Sequence, residues 1–171
     1  MNRQPLSLKA RAIALLAQRE HSSIELRRKL IRIARERDSK LIPDADASEP
    51  ADPSEEVDAL LAWLRAQGYL NESRFVESRI HARSSRHGNL RIRQELAQHG
   101  LTPDAEQLEK LKDSEFERAR SIWQRKFGGA AQQAEPQEPA ERARQMRFLV
   151  GRGFSSEVVR RVLRNPGAED D

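Results

Sequence analysis

The stretch RHGNLRIRQELAQHGL, residues 86–101, combines a basic helix with a signal that ends a helix. Its apolar residues Ile92 and Leu96 are four positions apart, which is the spacing of one face of an α-helix. The closing His99-Gly100-Leu101 is typical of a helix that stops at a left-handed glycine, with the next apolar residue folding back onto it. The stretch therefore predicts a helix followed by a sharp turn.

The same ending recurs at Gln67-Gly68-Tyr69 and at Arg152-Gly153-Phe154. A residue suited to starting a new helix follows each glycine, and these predicted caps are Asn71, Thr102 (with Pro103 as the first helical residue) and Ser155. One such ending is generic, but three of them in one short chain indicate internal repetition.

Helical periodicity covers almost every structured stretch, and no stretch alternates over the length of a strand. Three helices per unit place the repeats at residues 8–67, 72–112 and 114–164. We therefore predict an all-α fold, an elongated array of three tandem three-helix repeats. Units this small cannot each bury a full core, so neighbouring repeats have to stack.

Apolar stripes indicate which residues are buried. In the second helix, which is expected to start with a capping box at Ser22–Glu25, they are Leu26, Leu30 and Ile33. In the third helix, with Ser54 as the expected cap, they are Val57, Leu60, Leu61 and Leu64. Later positions include Phe75, Val76, Ile80, Ile92, Leu96, Leu108, Leu111, Phe116, Ala119, Ile122, Trp123, Phe127, Met146, Leu149, Val150, Val158, Val162 and Leu163.

Two segments resemble insertions between helices. Residues 38–54, DSKLIPDADASEPADPS, are acidic and contain prolines, and residues 128–139, GGAAQQAEPQEP, are small and polar. Both compositions are typical of long mobile loops. The tail, residues 165–171, is expected to be disordered.

Composition narrows the function. The chain has no cysteine, so thiolate metal sites, disulfides and a thiol nucleophile are excluded. The four histidines lack metal-ligand spacing, and no phosphate-cradling glycine motif or nucleophile elbow is present. No signal core or membrane-length apolar run occurs, which predicts a cytoplasmic protein. We expect no enzyme activity, no cofactor, no metal and no membrane association.

Positive charge is concentrated in blocks. Residues 1–38 carry ten basic and four acidic side chains, residues 39–58 carry one and seven, and residues 59–100 carry seven and three. The second helix places Arg28, Arg32 and Arg35 on the face opposite its apolar residues. The fourth helix is predicted to align Arg79, Arg83 and Arg86 along the rim of the core. A solvated helix face would explain either stripe alone, whereas one extended partner surface would explain both.

Four blocks in this order resemble the RecX family, regulators of the RecA recombinase. They are ALLAQREHSSIELRRKL at 14–30, GYLNESRF at 68–75, HGNLRIRQELAQHGL at 87–101 and RFLVGRGFSSEVVRRVL at 147–163. The individual matches are Tyr69, Leu70, Asn71, Arg74, Phe75, Arg83, Gly88, Ile92, Glu95, Leu96, Gly100, Arg152, Gly153 and Phe154. Glu72 departs from the aspartate that the family usually has.

The resemblance implies a monomeric, non-enzymatic protein of three three-helix repeats. It further implies binding in the groove of the RecA–DNA filament, with inhibition of the ATPase, co-protease and strand-exchange activities by limiting filament growth, as part of DNA repair, recombination and the SOS response. Contact with DNA is expected to be auxiliary, directed to phosphates and weakly sequence-specific. The candidate partner-binding and DNA-binding residues are Arg28, Arg32, Arg35, Arg74, Arg79, Arg83, Arg86, Arg93 and Arg152. The structural turns are Gly68, Gly88, Gly100 and Gly153.

Two other functions stay open from the residues alone. The chain could be a stand-alone helix–turn–helix protein that reads DNA through Arg91, Arg93 and Gln94, although no dimerisation seam is evident. It could also be a scaffold that binds another acidic protein without DNA.

Overall fold

The computed structural model describes residues 6–41, 52–131 and 139–164. These ranges contain nine α-helices and no strand, so the predicted all-α, helical-repeat fold is confirmed for this part of the chain. The helices are α1 (Leu8–Gln18), α2 (Ser23–Leu41), α3 (Ser54–Ala66), α4 (Glu72–Ser84), α5 (Asn89–Ala97), α6 (Ala105–Asp113), α7 (Glu115–Ala131), α8 (Pro139–Gly151) and α9 (Ser156–Arg164). Two compact units are formed, residues 1–75 and residues 76–171. The finer repeat boundaries stay a prediction.

The core of the first unit lies between α1, α2 and α3. The α2 helix contributes Leu26, Leu30 and Ala34, which are fully buried and follow one helix face at i, i+4 and i+8. Ile33 was expected to point inward but is only half-buried, because Ala34 completes that line. The other buried members of this core are Leu8, Ala12, Val57, Leu61, Leu64 and Leu70. Burial of this face leaves the opposite face of α2 to solvent.

The second unit packs α7, α8 and α9 around Trp123, which is nearly fully buried. The indole Nε1–H of Trp123 donates a hydrogen bond of 2.9 Å to Oε1 of Gln145, which is buried with it. This bond turns Gln145 and Leu149 inward. Met146 and Val150 were predicted in the core and are instead exposed, so that prediction was wrong. Gln145, which has Trp123 as its buried hydrogen-bond partner, therefore takes an inward position at which an apolar residue was expected.

The three glycine stops are confirmed. Gly68, Gly100 and Gly153 have φ angles of 72°, 69° and 84°, in the left-handed region that disfavours side chains. At the first stop, the backbone N–H groups of Tyr69 and Leu70 both donate to the carbonyl of Leu64, at 2.9 and 3.1 Å. These bonds satisfy the end of α3 and turn the chain towards α4.

Most of the predicted caps are present, and one is misplaced. Asn71 accepts from the N–H of Arg74 at 3.0 Å, so Glu72 does not impair the start of α4. The hydroxyl of Ser155 accepts from the N–H of Val158 at 3.4 Å. The start of α6 is formed by Asp104 and not by Thr102 and Pro103. Asp104 forms a reciprocal capping box with Gln107, which starts the helix at Ala105 and leaves Leu108 exposed.

The predicted insertions begin later than expected. The α2 helix continues to Leu41 and α7 to Ala131, so the starts of the loops at 38 and 128 were wrong. The α3 helix begins at Ser54 itself, and the carboxylate of Asp52 accepts from the N–H of Ser54 at 3.2 Å and from its hydroxyl at 2.8 Å. The remainder of both predicted loops, 42–51 and 132–138, and the tail at 165–171 lie outside the described residues.

Candidate interaction surfaces

The exposed side of α2 carries cations that point away from the core. Arg28, Arg32 and Arg35 are all exposed, and 74% of the Arg32 side chain is accessible, with Glu36 its carboxylate neighbour at 3.8 Å. Arg28 and Arg35 have no carboxylate partner among the described residues. We use the name α2 face for these arginines together with Ile24 and Ile31.

The space beside the α2 face is open to solvent, and every described residue that borders it lies on α2. Ile24 is 44% exposed and Ile31 is half-buried, so the α2 face presents apolar surface between the guanidinium groups. Such a mixed surface suits a partner that offers carboxylates beside apolar side chains, because guanidinium groups pair with carboxylates through two parallel hydrogen bonds.

Other arginines of α2 are occupied inside the unit. Arg27 makes bonds of 2.6 and 3.0 Å to both carboxylate oxygens of Asp58 on α3. Arg37 binds Glu56 at 2.9 and 3.1 Å and Asp38 at 2.8 Å, and these bonds raise its pKa. These pairs lie at the surface, where each contributes little free energy, but they fix the orientation of α3 against α2.

A buried histidine orients the start of α2. His21 is 1% exposed, with Nδ1 2.9 Å from the carbonyl of Arg19 and Nε2 3.0 Å from Nζ of Lys29. A neutral ring that donates from Nδ1 and accepts at Nε2 satisfies both contacts. Burial lowers the pKa of His21, and this favours the neutral form.

Glu25 completes the arrangement around this histidine. Its carboxylate pairs with Arg19 and lies 3.5 Å from Lys29, as the i, i+4 spacing predicts. The hydroxyl of Ser22 accepts from the N–H of Glu25 at 3.1 Å, which places the predicted cap at the start of α2. The burial of His21 was not predicted from the sequence.

The second predicted stripe is interrupted. The α4 helix ends at Ser84, so the interpretation that Arg86 shares its face was wrong. Arg83 donates from Nε to Glu95 at 2.7 Å, and Nε of Arg91 is 3.7 Å from the other oxygen of that carboxylate. Arg79 is half-buried and lines the same depression as these residues. One glutamate therefore neutralises part of a cluster that the sequence presents as uniformly basic.

Arginines hold the turn between α4 and α5 through its backbone. The carbonyls of Ser85, Arg86 and His87 accept in turn from Arg125 at 3.1 Å, Arg152 at 3.0 Å and Arg118 at 2.8 Å. Carbonyls at the end of a helix lack partners within the helix, and cations are favoured there. Helix α7 and the turn after α8 thus supply the side chains that bind the carbonyls following α4.

Arg118 is half-buried and makes more hydrogen bonds than the other two side chains. It also donates to the carbonyl of Leu111 at 3.0 Å and to the side-chain oxygen of Asn89. Burial lowers its pKa, and the nearby charge of Glu115 acts in the opposite direction. The guanidinium group therefore joins α7 to α5 and to the end of α6.

The start of α5 is covered closely by another turn. The N–H groups of Gly88 and Leu90 donate to the carbonyls of Arg152 and Gly153 at 2.9 and 3.0 Å. A Cβ atom on Gly88 would lie 2.3 Å from the carbonyl oxygen of Gly153 and from the backbone nitrogen of Phe154. Gly88 has an ordinary φ of −79°, so it is required for close backbone approach and not for a left-handed turn.

Glu115 lies buried beside this contact. Its carboxylate accepts from the backbone N–H of Asn89 at 3.0 Å and from the hydroxyl of Ser155 at 3.2 Å. Anions are favoured at helix starts, and this carboxylate serves the starts of both α5 and α9. We call residues 84–90, with Arg118, Glu115 and Gly153, the central joint.

A cationic cleft of about 460 Å³ lies beside the central joint. Arg86 and Arg152 were predicted from the sequence to bind a partner, whereas Arg125 and Lys126, which come from α7, were not. The position of Arg125, seven residues after Arg118, was the only sequence signal that could have found it. The cleft residues are Ser85, Arg86, Ile122, Arg125, Lys126, Phe148 and Arg152, and we name them the Arg86 cleft.

The two remaining candidate arginines have different surroundings. Arg74 donates from Nε to Glu20 at 2.8 Å and from Nη2 to the carbonyls of Gly68 and Tyr69 at 3.1 Å each, so it secures the first glycine turn. Arg93 is exposed and lines a pocket of about 360 Å³ with Leu90.

The described residues contain no group of three histidine, aspartate or glutamate side chains placed to hold a metal ion. None of the described helices is long and apolar enough to cross a membrane. What these surfaces can do chemically is bind anionic groups. The fold and the surfaces thus define a helical-repeat protein with cationic faces suited to binding.

Comparison with known proteins identifies the family. The protein-family model described as the second three-helix domain of RecX matches residues 71–105. The family model described as the third three-helix domain of RecX matches residues 113–163. The regulatory protein RecX of Ralstonia nicotianae is 45% identical over 168 residues, covering 97% of this chain and 92% of the relative. That of Leptothrix cholodnii is 45% identical over 172 residues, covering 99% and 96%. This chain belongs to the RecX family of regulatory proteins, as the resemblance predicted.

A solved structure supports the fold independently. The crystal structure of RecX from Lactobacillus salivarius superposes with a TM-score of 0.63 at 14% identity, covering 93% of this chain and 94% of that one. At this identity the likeness concerns the fold alone.

Proposed function

We propose that this protein is a negative modulator of the RecA recombinase that binds in the groove of the RecA–DNA filament. By limiting filament growth it inhibits the ATPase, co-protease and strand-exchange activities. Family membership supports the recombinase as the partner. The structural observation that carries the proposal is the α2 face, where exposed arginines alternate with isoleucines on a helix whose other side is fixed in the core.

The groove of a nucleoprotein filament presents protein carboxylates as well as DNA phosphates. We assign the α2 face to carboxylates of the recombinase, because Ile24 and Ile31 give it the apolar surface that a protein partner buries. A ligand shifts an assembly equilibrium only through different affinities for its states. Binding to the filament state that cannot extend therefore reduces growth without any chemical step by this protein.

The test is a recombinase ATPase assay on single-stranded DNA, with filament length measured by electron microscopy. The wild-type protein at sub-stoichiometric amounts should lower the rate and shorten the filaments. The triple variant R28E/R32E/R35E should lose at least about tenfold in inhibitory potency, because like-charge contacts replace favourable ones. Its own folding stability should change little, since the three side chains are exposed.

A charge-matched control separates this surface from net charge. The variant R65E/K112E/R160E also reverses three exposed cations but leaves the α2 face intact, and it should inhibit like the wild type. An unchanged ATPase rate and filament length with the wild-type protein would sink the proposed function. An equal loss of inhibitory potency in both triple variants would instead show that the α2 face is not the surface that binds the recombinase.

The alternative of a DNA-reading α5 is disfavoured by the central joint. Recognition helices contact base edges through their N-terminal residues. The N–H groups of Asn89 and Leu90 are bonded to Glu115 and Gly153, and Arg91 lies beside Glu95. A scaffold for another acidic protein would bind without DNA and leave the recombinase unaffected, which the ATPase assay decides.

A further inference from the structure

We propose that the Arg86 cleft binds the phosphodiester backbone of nucleic acid. Four cations, Arg86, Arg125, Lys126 and Arg152, line one depression of about 460 Å³. None of them has a carboxylate partner among the described residues. This distinguishes the cleft from the depression at Arg83 and Arg91, which share Glu95.

Two of the guanidinium groups are held in place by the protein before any ligand arrives. Arg125 donates to the carbonyls of Ser85 and Ser121 at 3.1 and 3.4 Å, and Arg152 donates to the carbonyl of Arg86 at 3.0 Å. The guanidinium group of Arg152 also lies 4.7 Å from the centre of the Phe148 ring. A guanidinium group has five N–H donors, so each retains donors for a ligand. Such ordering reduces the entropy lost on binding.

The carbonyls of the α4–α5 turn attract cations to this place. More cations lie here than are needed to bind those carbonyls. Arg118 already satisfies the carbonyl of His87, while Arg125 and Arg152 satisfy those of Ser85 and Arg86. Arg86 and Lys126 are exposed, and neither donates a side-chain hydrogen bond to a described residue. The surplus of positive charge is therefore directed to solvent.

The charge density favours phosphodiester over protein carboxylate. A nucleic-acid strand carries one negative charge per nucleotide, so a single segment can meet several neighbouring cations at once. The apolar lining of the cleft is limited to Ile122, which is buried, and Phe148, whose ring Arg152 covers. The α2 face, in contrast, offers exposed isoleucine. The inference rests on the proposed function, in which the DNA is that of the recombinase filament. It assigns the contact with that DNA to the Arg86 cleft.

The test measures DNA binding without any recombinase. Fluorescence anisotropy of a labelled oligo-dT is followed across a salt series for the wild type, R86A/R125A/K126A and the control R65A/K112A/R160A. The cleft variant should bind at least about tenfold more weakly at low salt. Its slope of log K against log salt should be less steep by about 0.7 for each phosphate that the variant no longer neutralises. The control should keep the slope of the wild type.

Circular dichroism and thermal unfolding verify that each variant is folded. If the cleft variant does not fold, K126E alone replaces it, because Lys126 is exposed and its side chain bonds to no described residue. Equal affinity and slope for wild type and cleft variant overturn the inference, as does a wild type that does not bind oligo-dT. A cleft variant that keeps its DNA affinity but no longer binds poly-glutamate also overturns it, in favour of a protein partner.

The two proposals fail separately. Weakened DNA binding in the cleft variant, with a wild type that leaves the recombinase ATPase unaffected, supports the cleft and rejects the proposed function. Normal inhibition by the wild type, with DNA binding unaltered in the cleft variant, supports the function and rejects the cleft.

Discussion

The α2 face and the central joint are both rich in arginine, yet their arginines do different things. On α2, Arg28 and Arg35 reach solvent without a carboxylate partner among the described residues. At the joint, Arg118 is half-buried and bonds to the carbonyls of His87 and Leu111. The spacing of the arginines along their helices is similar in the two regions, so spacing does not decide what each arginine does. The carbonyls and carboxylates around each arginine decide it, because a charge that is removed from solvent needs such partners.

The difference has an energetic side. Exposed cations contribute little to folding, because solvent screens their interactions. Removing a buried donor leaves its acceptors unsatisfied, which costs about 1–3 kcal/mol for each group. Substitutions in the central joint should therefore destabilise the protein, and those on the α2 face should affect binding only.

The largest effect is expected for Gly88→Ala. The added Cβ would meet backbone atoms at 2.3 Å, and these cannot move without displacing the turn at Gly153. We expect the free energy of unfolding to fall by about 3 kcal/mol or more, measured by urea denaturation followed by circular dichroism.

Gly151→Ala is the matched control. Gly151 is the last residue of α8, and a Cβ there would have nothing within 4 Å. Because alanine favours helix, its stability should stay within about 1 kcal/mol of the wild type or rise. Equal stability of the two variants would show that the close approach at Gly88 does not constrain the fold.

A smaller effect is expected for Arg118→Met. The methionine keeps much of the apolar stem but removes the donors that hold His87, Leu111 and Asn89. The free energy of unfolding should fall by about 2–4 kcal/mol, as unpaired carbonyls remain near the core. Arg125→Met, seven residues along the same helix, should cost about 1 kcal/mol or less because Arg125 is exposed. If Arg125→Met were the more damaging change, Arg118 would not be the residue that stabilises the central joint.

The smallest effect compares His21, which is buried just before α2, with His87 in the central joint. Burial lowers the pKa of both His21 and His87 below the ordinary value of 6.5. The folded state therefore binds protons less readily than the unfolded state. The stabilisation that each neutral histidine gives the folded state is complete at pH values above 6.5. It is lost as the pH falls through the lowered pKa of the folded state. The free energy of unfolding should decline as the pH falls below about 6.5, with a slope below about 1.4 kcal/mol per pH unit for each histidine.

The variants His21→Gln and His87→Gln assign this slope. Each should flatten part of the pH dependence of the free energy of unfolding, and the double variant should flatten most of it. His21 has partners at both ring nitrogens, whereas Nδ1 of His87 has none among the described residues. A double variant with the slope of the wild type would show that other groups titrate in this range.

Much of the fold follows from local patterns in the sequence. The left-handed stops at Gly68, Gly100 and Gly153, and the caps at Asn71 and Ser155, depend on residues a few positions apart, and so they could be predicted. The outward direction of Arg28, Arg32 and Arg35 also followed, because the period of one helix relates them to Leu26 and Leu30. The all-α, helical-repeat architecture rests on the same local signals.

Only the tertiary structure decided what the other charged residues do. The i, i+4 spacing on α5 pairs Glu95 with Arg91, but the shorter contact of Glu95 is with Arg83 on another helix. Gly88 is required because the turn at Gly153 approaches it, and Gln145 turned α8 through a bond to Trp123. These contacts join positions far apart in the chain, where periodicity carries no information. Hydrogen bonds and close packing between helices therefore selected the arginines that remain available to a partner.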